Sequence, residues 1–202
     1  MGIQERKARQ KEALRQQIIQ AATGIFLEEG YEGTSIRKIA SIVEYSPATL
    51  YLYFEDKQAI FQAILANAYE EFLTFLKPAK IIADPLSRLQ EMYKKYIEFA
   101  FKYPSYYDLL YLEPATATPK EDGANYAHQT SQLFTDTIRE CKKNGYFVRH
   151  DAEALALSVW SFAHGLVSLR HRHRLDNFPD KEWKIHLEQT LREFSTILRA
   201  AQ

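Results

Sequence analysis

Apolar side chains recur every three or four residues along most of this chain, which is the spacing of amphipathic α-helices. Proline, glycine and short polar runs interrupt the pattern, and no useful length of alternating apolar and polar residues predicts a strand. The pattern therefore predicts an all-α protein. The predicted helices cover residues 11–29, 57–76, 84–102, 104–112, 124–144, 151–172 and 180–200, with two short helices between 34 and 57.

The two short helices are predicted to be joined by a tight turn. Apolar residues recur at helical spacing in the first of them, at Ile36, Ile39, Ala40 and Val43. Thr34 is its predicted N-cap, because a hydroxyl oxygen can accept a hydrogen bond from a free amide at the helix start. Ser46 is predicted to cap the second helix, with Pro47 at the first position, where no N–H is needed. Leu50 and Phe54 would anchor this helix to the first one. This layout is typical of a helix-turn-helix, whose second helix enters the major groove of DNA.

The run TLYLYF at 49–54, followed by Lys57, resembles the DNA-binding signature of the TetR family of bacterial transcriptional regulators. The order of elements is also similar, with a stop at Gly30 and a linker helix at 57–76, and the resemblance covers about the first third of the chain. It implies a base-edge contact from Arg37. The other implied DNA-binding residues are Thr34, Tyr51, Tyr53 and Lys57 at phosphates, Pro47, Ala48 and Thr49 facing the groove, and Lys38 and Ser46 beside them.

One position departs from the family pattern, because the turn carries Glu44 where a glycine is usual. If Glu44 adopts a positive φ, the substitution costs on the order of 1 kcal/mol. The angle between the two short helices therefore depends on this turn.

Positive charge is concentrated at the start of the chain. The whole sequence has 26 basic and 26 acidic residues, so its net charge does not indicate a polyanionic partner. Before residue 16, however, basic side chains outnumber the acidic Glu5 and Glu12, at Arg6, Lys7, Arg9, Lys11 and Arg15. This segment is predicted to be a basic arm that contacts DNA phosphates, and a solvated, frayed terminus is the alternative.

Tyrosine and phenylalanine crowd the segment 93–111, where a core built for stability alone would use aliphatic residues. Buried tyrosine hydroxyls need hydrogen-bond partners, so the segment indicates a cavity lined by a few polar groups. An ordinary packed core is the alternative. The resemblance favours a ligand pocket, because TetR-like proteins sense ligands in this domain. The predicted lining residues are Tyr93, Tyr96, Tyr103, Tyr107, Tyr111, Trp160 and His164.

The helix at 151–172 is apolar on nearly all sides, so both sides must be covered. The last helix keeps an apolar stripe, and together the two helices predict a four-helix interface in a twofold dimer, with Gly165 allowing close approach. A monomer with a buried central helix is the alternative. The predicted interface residues are Val159, Leu166, Leu187, Leu191, Phe194 and Leu198. In TetR-like proteins the last two helices form the dimer interface, and the stretch WSFAHGL resembles the WHG-type subgroup of their C-terminal domains.

Other chemistry is less well supported. His171 and His173 are two residues apart, so on a helix they face different directions and cannot share a metal ion. Cys141, the single cysteine, excludes an intrachain disulfide, and a passive thiol is favoured over a redox switch. Neither a phosphate loop nor a catalytic constellation is visible, so we expect no enzyme, cofactor or metal. No signal peptide or membrane span is predicted, which favours the cytoplasm.

The sequence thus predicts three regions: an arm and helix-turn-helix domain (1–56), a linker helix (57–76), and a helical ligand-sensing and dimerisation domain (77–202). The predicted function is a homodimeric repressor that a small apolar or aromatic inducer releases from a near-palindromic operator. Two alternatives remain, a ligand-independent DNA-binding or nucleoid-associated protein, and an enzymatic or interaction module that carries a DNA-binding head.

Overall fold

A computed structural model of the protein describes residues 2–111 and 121–200, and the regular structure within these ranges is entirely helical. The helices are α1 Ile3–Gly33, α2 Ile36–Ile42, α3 Pro47–Leu50, α4 Lys57–Leu76, a 3₁₀ helix Lys77–Ile81, α5 Pro85–Lys102, α6 Pro104–Tyr111, α7 Glu121–Lys143, α8 Ala152–His171 and α9 Asp180–Ala200. The prediction of an all-α fold is confirmed. Most boundaries differ from the prediction by three residues or fewer, and the predicted end of α6 at residue 112 lies outside the described residues.

The chain divides into two compact units. The first, here called the head, comprises α1, α2, α3, the part of α4 up to Glu70, and the described residues between Asp108 and Ala127. The second, here called the C-terminal unit, comprises residues 71–107 and the described residues from His128 onward. Helix α4 has the bounds that the sequence predicted and contributes residues to both units.

The long first helix starts earlier than predicted. It begins at Ile3 rather than near residue 11, so the predicted basic arm is helical. The residues of this segment are mostly good helix formers (Glu, Arg, Lys, Gln and Ala), which explains the longer helix. The predicted stop is present as an internal break at Gly30, whose φ of 71° suits glycine far better than other residues.

The N-cap of α2 is Ser35, so the prediction of Thr34 was wrong by one residue. The Ser35 hydroxyl oxygen accepts a hydrogen bond from the Lys38 amide at 3.2 Å. Thr34 instead closes the turn after α1, where its hydroxyl donates to the Gly30 carbonyl at 2.9 Å. Threonine and serine can both cap a helix. Here Thr34 is used to close the turn after α1, so Ser35 becomes the N-cap of α2.

The turn before α3 has the conformation that the sequence raised as a possibility. Glu44 has a φ of 60°, so the strain of a non-glycine residue in the left-handed region is present. Ser46 caps α3 by accepting from the Thr49 amide at 3.1 Å, and Pro47 occupies the first helical position, as predicted. Helix α3 is only four residues long, but turns continue to Phe54, whose amide donates to the Leu50 carbonyl at 3.0 Å.

A continuous apolar core holds the head together. Leu50 is fully buried and Phe54 is 5% exposed, which confirms their anchoring role. They pack in one cluster with apolar residues of α1, α2 and α4, including Ile18, Ile39 and Ile64. Because the short α3 has little stability of its own, this burial fixes its position on the head.

In the C-terminal unit, α5 packs against α8. Each of these helices begins with an aspartate cap, because Asp84 accepts from the Ser87 amide and Asp151 from the Ala154 amide, both at 2.8 Å. Helix α7 ends at Lys143, and the chain then turns at Gly145, which has a φ of 89°. There the amide of Tyr146 donates to the Cys141 carbonyl at 3.0 Å, which is the hydrogen bond of a Schellman cap.

Candidate nucleic-acid interface and ligand-sensing region

The outward side of α3 carries small and aromatic groups. Ala48 is exposed, Pro47 and Thr49 are half-buried, and Tyr51, just after the helix, is 56% exposed. The hydroxyls of Ser46 and Thr49 lie 2.9 Å apart and form a hydrogen bond with each other. The surface that the sequence assigned to DNA is thus available for contact, and much of it is apolar.

Arg37 and Lys38 are both exposed on α2, but they differ in their surroundings. Lys38 forms an ion pair with Glu29 of α1, so part of its positive charge is neutralised within the head. Arg37 lies in the first turn of α2 and is the arginine nearest to α3 in the sequence. A guanidinium group in this position can reach a guanine edge with two hydrogen bonds.

Three of the predicted phosphate contacts have partners within the head. Thr34 is 3% exposed and its hydroxyl is bonded to Gly30, so the prediction of a phosphate contact from this side chain was wrong. Tyr53 is half-buried and packs on the apolar core. The Lys57 ammonium group donates to the Tyr31 carbonyl at 2.7 Å and lies 4.0 Å from the centroid of the Tyr31 ring. An ammonium group has three N–H donors, so Lys57 can hold this carbonyl and still reach a phosphate.

The basic residues near the N-terminus form part of α1. Four of them are exposed, and the fifth, Arg15, is half-buried with its guanidinium carbon 5.3 Å from the centroid of the Phe54 ring. The exposed members are Arg6, Lys7, Arg9 and Lys11. Because these residues lie on a helix, the positions of their charges are fixed relative to one another, unlike those on a flexible tail.

Three residues of the predicted pocket meet in one polar cluster, here called the Tyr–His cluster. The Tyr107 hydroxyl lies 2.8 Å from His164 Nδ1, and the Tyr96 hydroxyl lies 3.2 Å from the same atom. Both tyrosines are buried, at 0% and 2% exposed. Burial also lowers the pKa of His164 below its ordinary value. The neutral imidazole is therefore favoured, and it can accept a hydrogen bond from a tyrosine hydroxyl at Nδ1.

The other predicted lining residues lie apart from this cluster or at its edge. The Tyr93 hydroxyl points to α9, where it bonds to the Ser195 hydroxyl, and burial raises the pKa of Tyr93. Tyr103 packs against Phe75, with ring centroids 6.2 Å apart. Tyr111 belongs to the head rather than to the C-terminal unit. Trp160 is 37% exposed, and its ring centroid lies 5.3 Å from that of His164.

A second feature of the C-terminal unit was not predicted. A groove of about 670 Å³ has an apolar lining with charged residues among it. Its residues are Phe75, Lys94, Ile97, Glu98, Phe101, Lys102, Arg170, Trp183, Lys184, Leu187, Glu188 and Leu191. The Phe101 and Trp183 rings meet within it, with centroids 6.2 Å apart. This contact joins residues 82 positions apart in the chain, so periodicity along the sequence could not reveal it.

The predicted dimer residues are partly used within the chain. Val159 and Leu198 are 0% and 4% exposed in the single chain, so their assignment to an interface was wrong. The Phe194 ring stacks on Phe162 at 3.7 Å and meets the Tyr93 ring at 5.5 Å, which makes it an internal packing residue. Leu166, Leu187 and Leu191 are half-buried. Part of the apolar stripe of α9 thus packs within its own unit. The prediction failed because helix periodicity shows which face of a helix is buried but does not show what covers that face.

Other apolar residues on the last two helices are exposed. They are Leu157, Leu169, Ile185 and Ile197, at 59%, 46%, 52% and 63% exposed. Helix α8 is also the one helix in the described part of the chain that is long and apolar enough to cross a membrane. This is weak support for a membrane span, since core helices of other proteins meet the same criterion. Gly165 has no neighbour within 4 Å of an added Cβ in the single chain, so its predicted role in a close approach between two chains stays a prediction.

The described residues do not indicate a metal site or a reactive thiol. Among the described residues no group of three or more His, Cys, Asp or Glu is placed to hold a metal ion. Cys141 is fully buried, and burial raises the pKa of its thiol to about 11. A thiol with such a pKa is almost entirely protonated near pH 7, so a passive role is favoured.

Comparison with known proteins identifies relatives among bacterial regulators. The chain is 26% identical over 108 residues to the HTH-type transcriptional repressor NicS of Pseudomonas putida, covering 53% of this chain and 51% of NicS. It is 27% identical over 162 residues to the HTH-type transcriptional regulator RutR of Escherichia coli O157:H7, covering 77% of this chain and 74% of RutR. The match to NicS thus spans about half the length of that relative.

Solved structures share the fold. A protein with unknown function from Rhodococcus sp. RHA1 superposes with a TM-score of 0.76 at 21% identity, covering 92% of this chain and 95% of that chain. AibR, solved in complex with isovaleryl coenzyme A and operator DNA, superposes with a TM-score of 0.64 at 21% identity, covering 78% of this chain and 85% of that chain.

Two family models match the chain directly. Residues 18–64 match the model described as "Bacterial regulatory proteins, tetR family", which covers the helix-turn-helix. Residues 89–194, more than half of the sequence, match the model described as "Tetracyclin repressor-like, C-terminal domain". The chain belongs to the TetR family of bacterial regulatory proteins.

Proposed function

We propose that this protein is a cytoplasmic, ligand-responsive transcriptional repressor that binds a near-palindromic operator as a homodimer. The observation that carries the proposal is the head, in which a capped α3 is anchored by Leu50 and has an exposed surface, and Arg37 is exposed on the preceding helix α2. The basic residues of α1 add sequence-independent affinity for phosphates. A nucleoid-associated protein without a ligand would have the same head, so the C-terminal unit distinguishes the two functions.

The Tyr–His cluster supports a sensing role. Two buried tyrosine hydroxyls and the half-buried His164 ring create a site where a ligand's polar group can replace an internal hydrogen bond, while its body contacts aromatic surface. A highly charged ligand is disfavoured by its desolvation cost there. The inducer is therefore a small, largely apolar or aromatic molecule with one or two polar groups. AibR carries an acyl-coenzyme A on the same fold, which supports a ligand site in such a protein.

Induction works through the spacing of the two heads. A dimer contacts two half-sites about 34–36 Å apart, and a ligand that favours another spacing releases the DNA. Moving the population from mostly bound to mostly free requires roughly 5.5 kcal/mol of preference for the released state. Helix α4 is the element that would transmit the change, because its residues belong to both units.

The test of the DNA-binding proposal is a comparison of Arg37→Ala with the wild-type protein. An operator is first selected from random duplex DNA, and binding to it and to single base-pair variants is then measured. We expect Arg37→Ala to lose about 1–3 kcal/mol of discrimination at one base pair, because the guanidinium group carries base information. Lys80→Ala is the control, since Lys80 is an exposed basic residue of the C-terminal unit and should not change discrimination. Failure to select any sequence would overturn the proposed function.

The test of ligand sensing uses the Tyr–His cluster. Tyr96→Phe removes the hydroxyl but keeps the ring, so the head and its operator affinity should be unchanged. We expect this variant to need a different concentration of inducer for operator release, once a compound screen has identified one. If no compound in the screen releases the DNA, the ligand-independent function is favoured instead.

A further inference from the structure

The DNA-facing part of the head contains few groups that can read bases by hydrogen bonding. Adenine is usually read by Asn or Gln and guanine by Arg or Lys. Residues 34–57 contain neither Asn nor Gln, and Arg37 is their single arginine. The two lysines in this range, Lys38 and Lys57, have partners inside the head, in Glu29 and Tyr31. Among the side chains that usually read purines, this segment thus relies largely on Arg37.

The hydroxyl groups at the start of α3 are also largely occupied. The Ser46 oxygen accepts from the Thr49 amide, and the two hydroxyls bond to each other. One hydroxyl proton remains for the pair, because each hydroxyl can donate only once. Ala48 lies between them and is exposed, and its only side-chain group is a methyl.

Exposed apolar residues are concentrated in the same segment. Four large apolar or aromatic residues between positions 42 and 52 are 45–75% exposed. They are Ile42, Tyr45, Tyr51 and Leu52. An apolar surface at a DNA-binding element implies an apolar feature in the DNA, and in the major groove that feature is the C5-methyl group of thymine.

We propose that α3 reads thymine methyl groups, with Ala48 as the main specificity-determining residue and Pro47 and Thr49 completing the apolar contact. Each operator half-site then contains A·T pairs whose thymine methyls face α3, and one G·C pair read by Arg37. This inference rests on the proposed function and specifies which chemical feature of the operator the head recognises. A protein partner for the apolar surface is the competing interpretation, and the test separates the two.

The experiment removes the methyl group from the DNA without changing base pairing. An operator is selected from random duplexes with the full-length protein, and each thymine in a half-site is replaced in turn by deoxyuridine. Affinities are measured for the wild-type protein and for Ala48→Gly, at one salt concentration. Ala13→Gly is the matched control, because Ala13 is also an exposed helical alanine of the head. The two protein variants and the two duplexes form a double-mutant cycle.

We expect deoxyuridine at one or two positions to weaken wild-type binding about fourfold per methyl, which corresponds to about 0.8 kcal/mol per buried CH₂. The same replacement should have no effect on Ala48→Gly and the full effect on Ala13→Gly. Equal binding of thymine and deoxyuridine duplexes by the wild-type protein would overturn the inference and favour a protein partner. An equal loss in wild-type and Ala48→Gly would show that another residue contacts the methyl. If no sequence is selected at all, the proposed function fails instead.

Discussion

At the scale of single residues, we expect the Lys57 side chain to contribute both to folding and to DNA binding. Lys57→Ala removes the hydrogen bond to the Tyr31 carbonyl and the contact with the Tyr31 ring, so we expect the free energy of unfolding to fall by about 1 kcal/mol. The slope of log affinity against log salt should also decrease by about one charge, if the same ammonium group contacts a phosphate.

Urea unfolding without DNA and binding over a salt series measure these two effects separately. Lys38→Ala is the control for stability, because its exposed ion pair with Glu29 contributes little. Wild-type stability in Lys57→Ala would contradict the structural role of Lys57.

We expect His164 to make the stability of the C-terminal unit depend on pH. Burial lowers the pKa of His164 in the folded protein, so the unfolded chain binds a proton more readily. Stability due to the neutral form is therefore present above the ordinary histidine pKa of about 6.5 and is lost as the pH falls below it. We expect the free energy of unfolding of the wild-type protein to decrease as the pH is lowered from about 7.5 to about 5.5. In His164→Gln, the decrease over the same pH range should be smaller. His128→Gln, at an exposed position, should keep the wild-type dependence.

Residue assignments that depend on local chain geometry could be made from the sequence. The Ser46 cap, Pro47 at the first position of α3 and the Gly145 cap need only their near neighbours. Assignments that depend on distant packing could not. The burial of Val159 and the partners of Lys57 result from contacts between helices far apart in the chain. The Tyr–His cluster lies between these cases, because its residue types were predicted and its geometry was not.

At the scale of elements, we expect replacement by alanine to change the stability of the protein in opposite directions at two glycines. Gly145→Ala should destabilise the protein by about 1 kcal/mol, because a φ of 89° places a Cβ in an unfavourable conformation at the end of α7. Gly24→Ala should stabilise it by up to about 1 kcal/mol, since Gly24 is exposed inside α1 and an added Cβ meets nothing within 4 Å. Urea unfolding curves of both variants test this, and a shift of the same sign in both would contradict it.

The elements also show what periodicity can predict. The bounds of α4, α5 and α9 follow the apolar pattern closely, because each has a polar side and an apolar side. The stripe on α9 was assigned to a partner chain, but Phe194 packs on Phe162 of the same chain. Periodicity identifies the buried side of a helix, whereas the identity of the covering surface needs the folded structure.

At the scale of the whole molecule, we expect dimer formation and folding of the protomer to depend on two different residues of α9, Ile197 and Phe194. Ile197 is 63% exposed in the single chain, so Ile197→Asp should leave the protomer folded while it disrupts a hydrophobic interface between copies. Phe194→Asp should instead lower the stability of the protomer, because it places a charge between Phe162 and Tyr93. Sedimentation at micromolar concentration and thermal unfolding distinguish these outcomes. We expect a dimeric wild type, a folded monomer for Ile197→Asp and a destabilised protein for Phe194→Asp.

A folded Ile197→Asp monomer should also bind the operator much more weakly, since it loses the simultaneous contact with two half-sites. A wild-type monomer, or a stable Phe194→Asp dimer, would contradict the separate roles of these two residues.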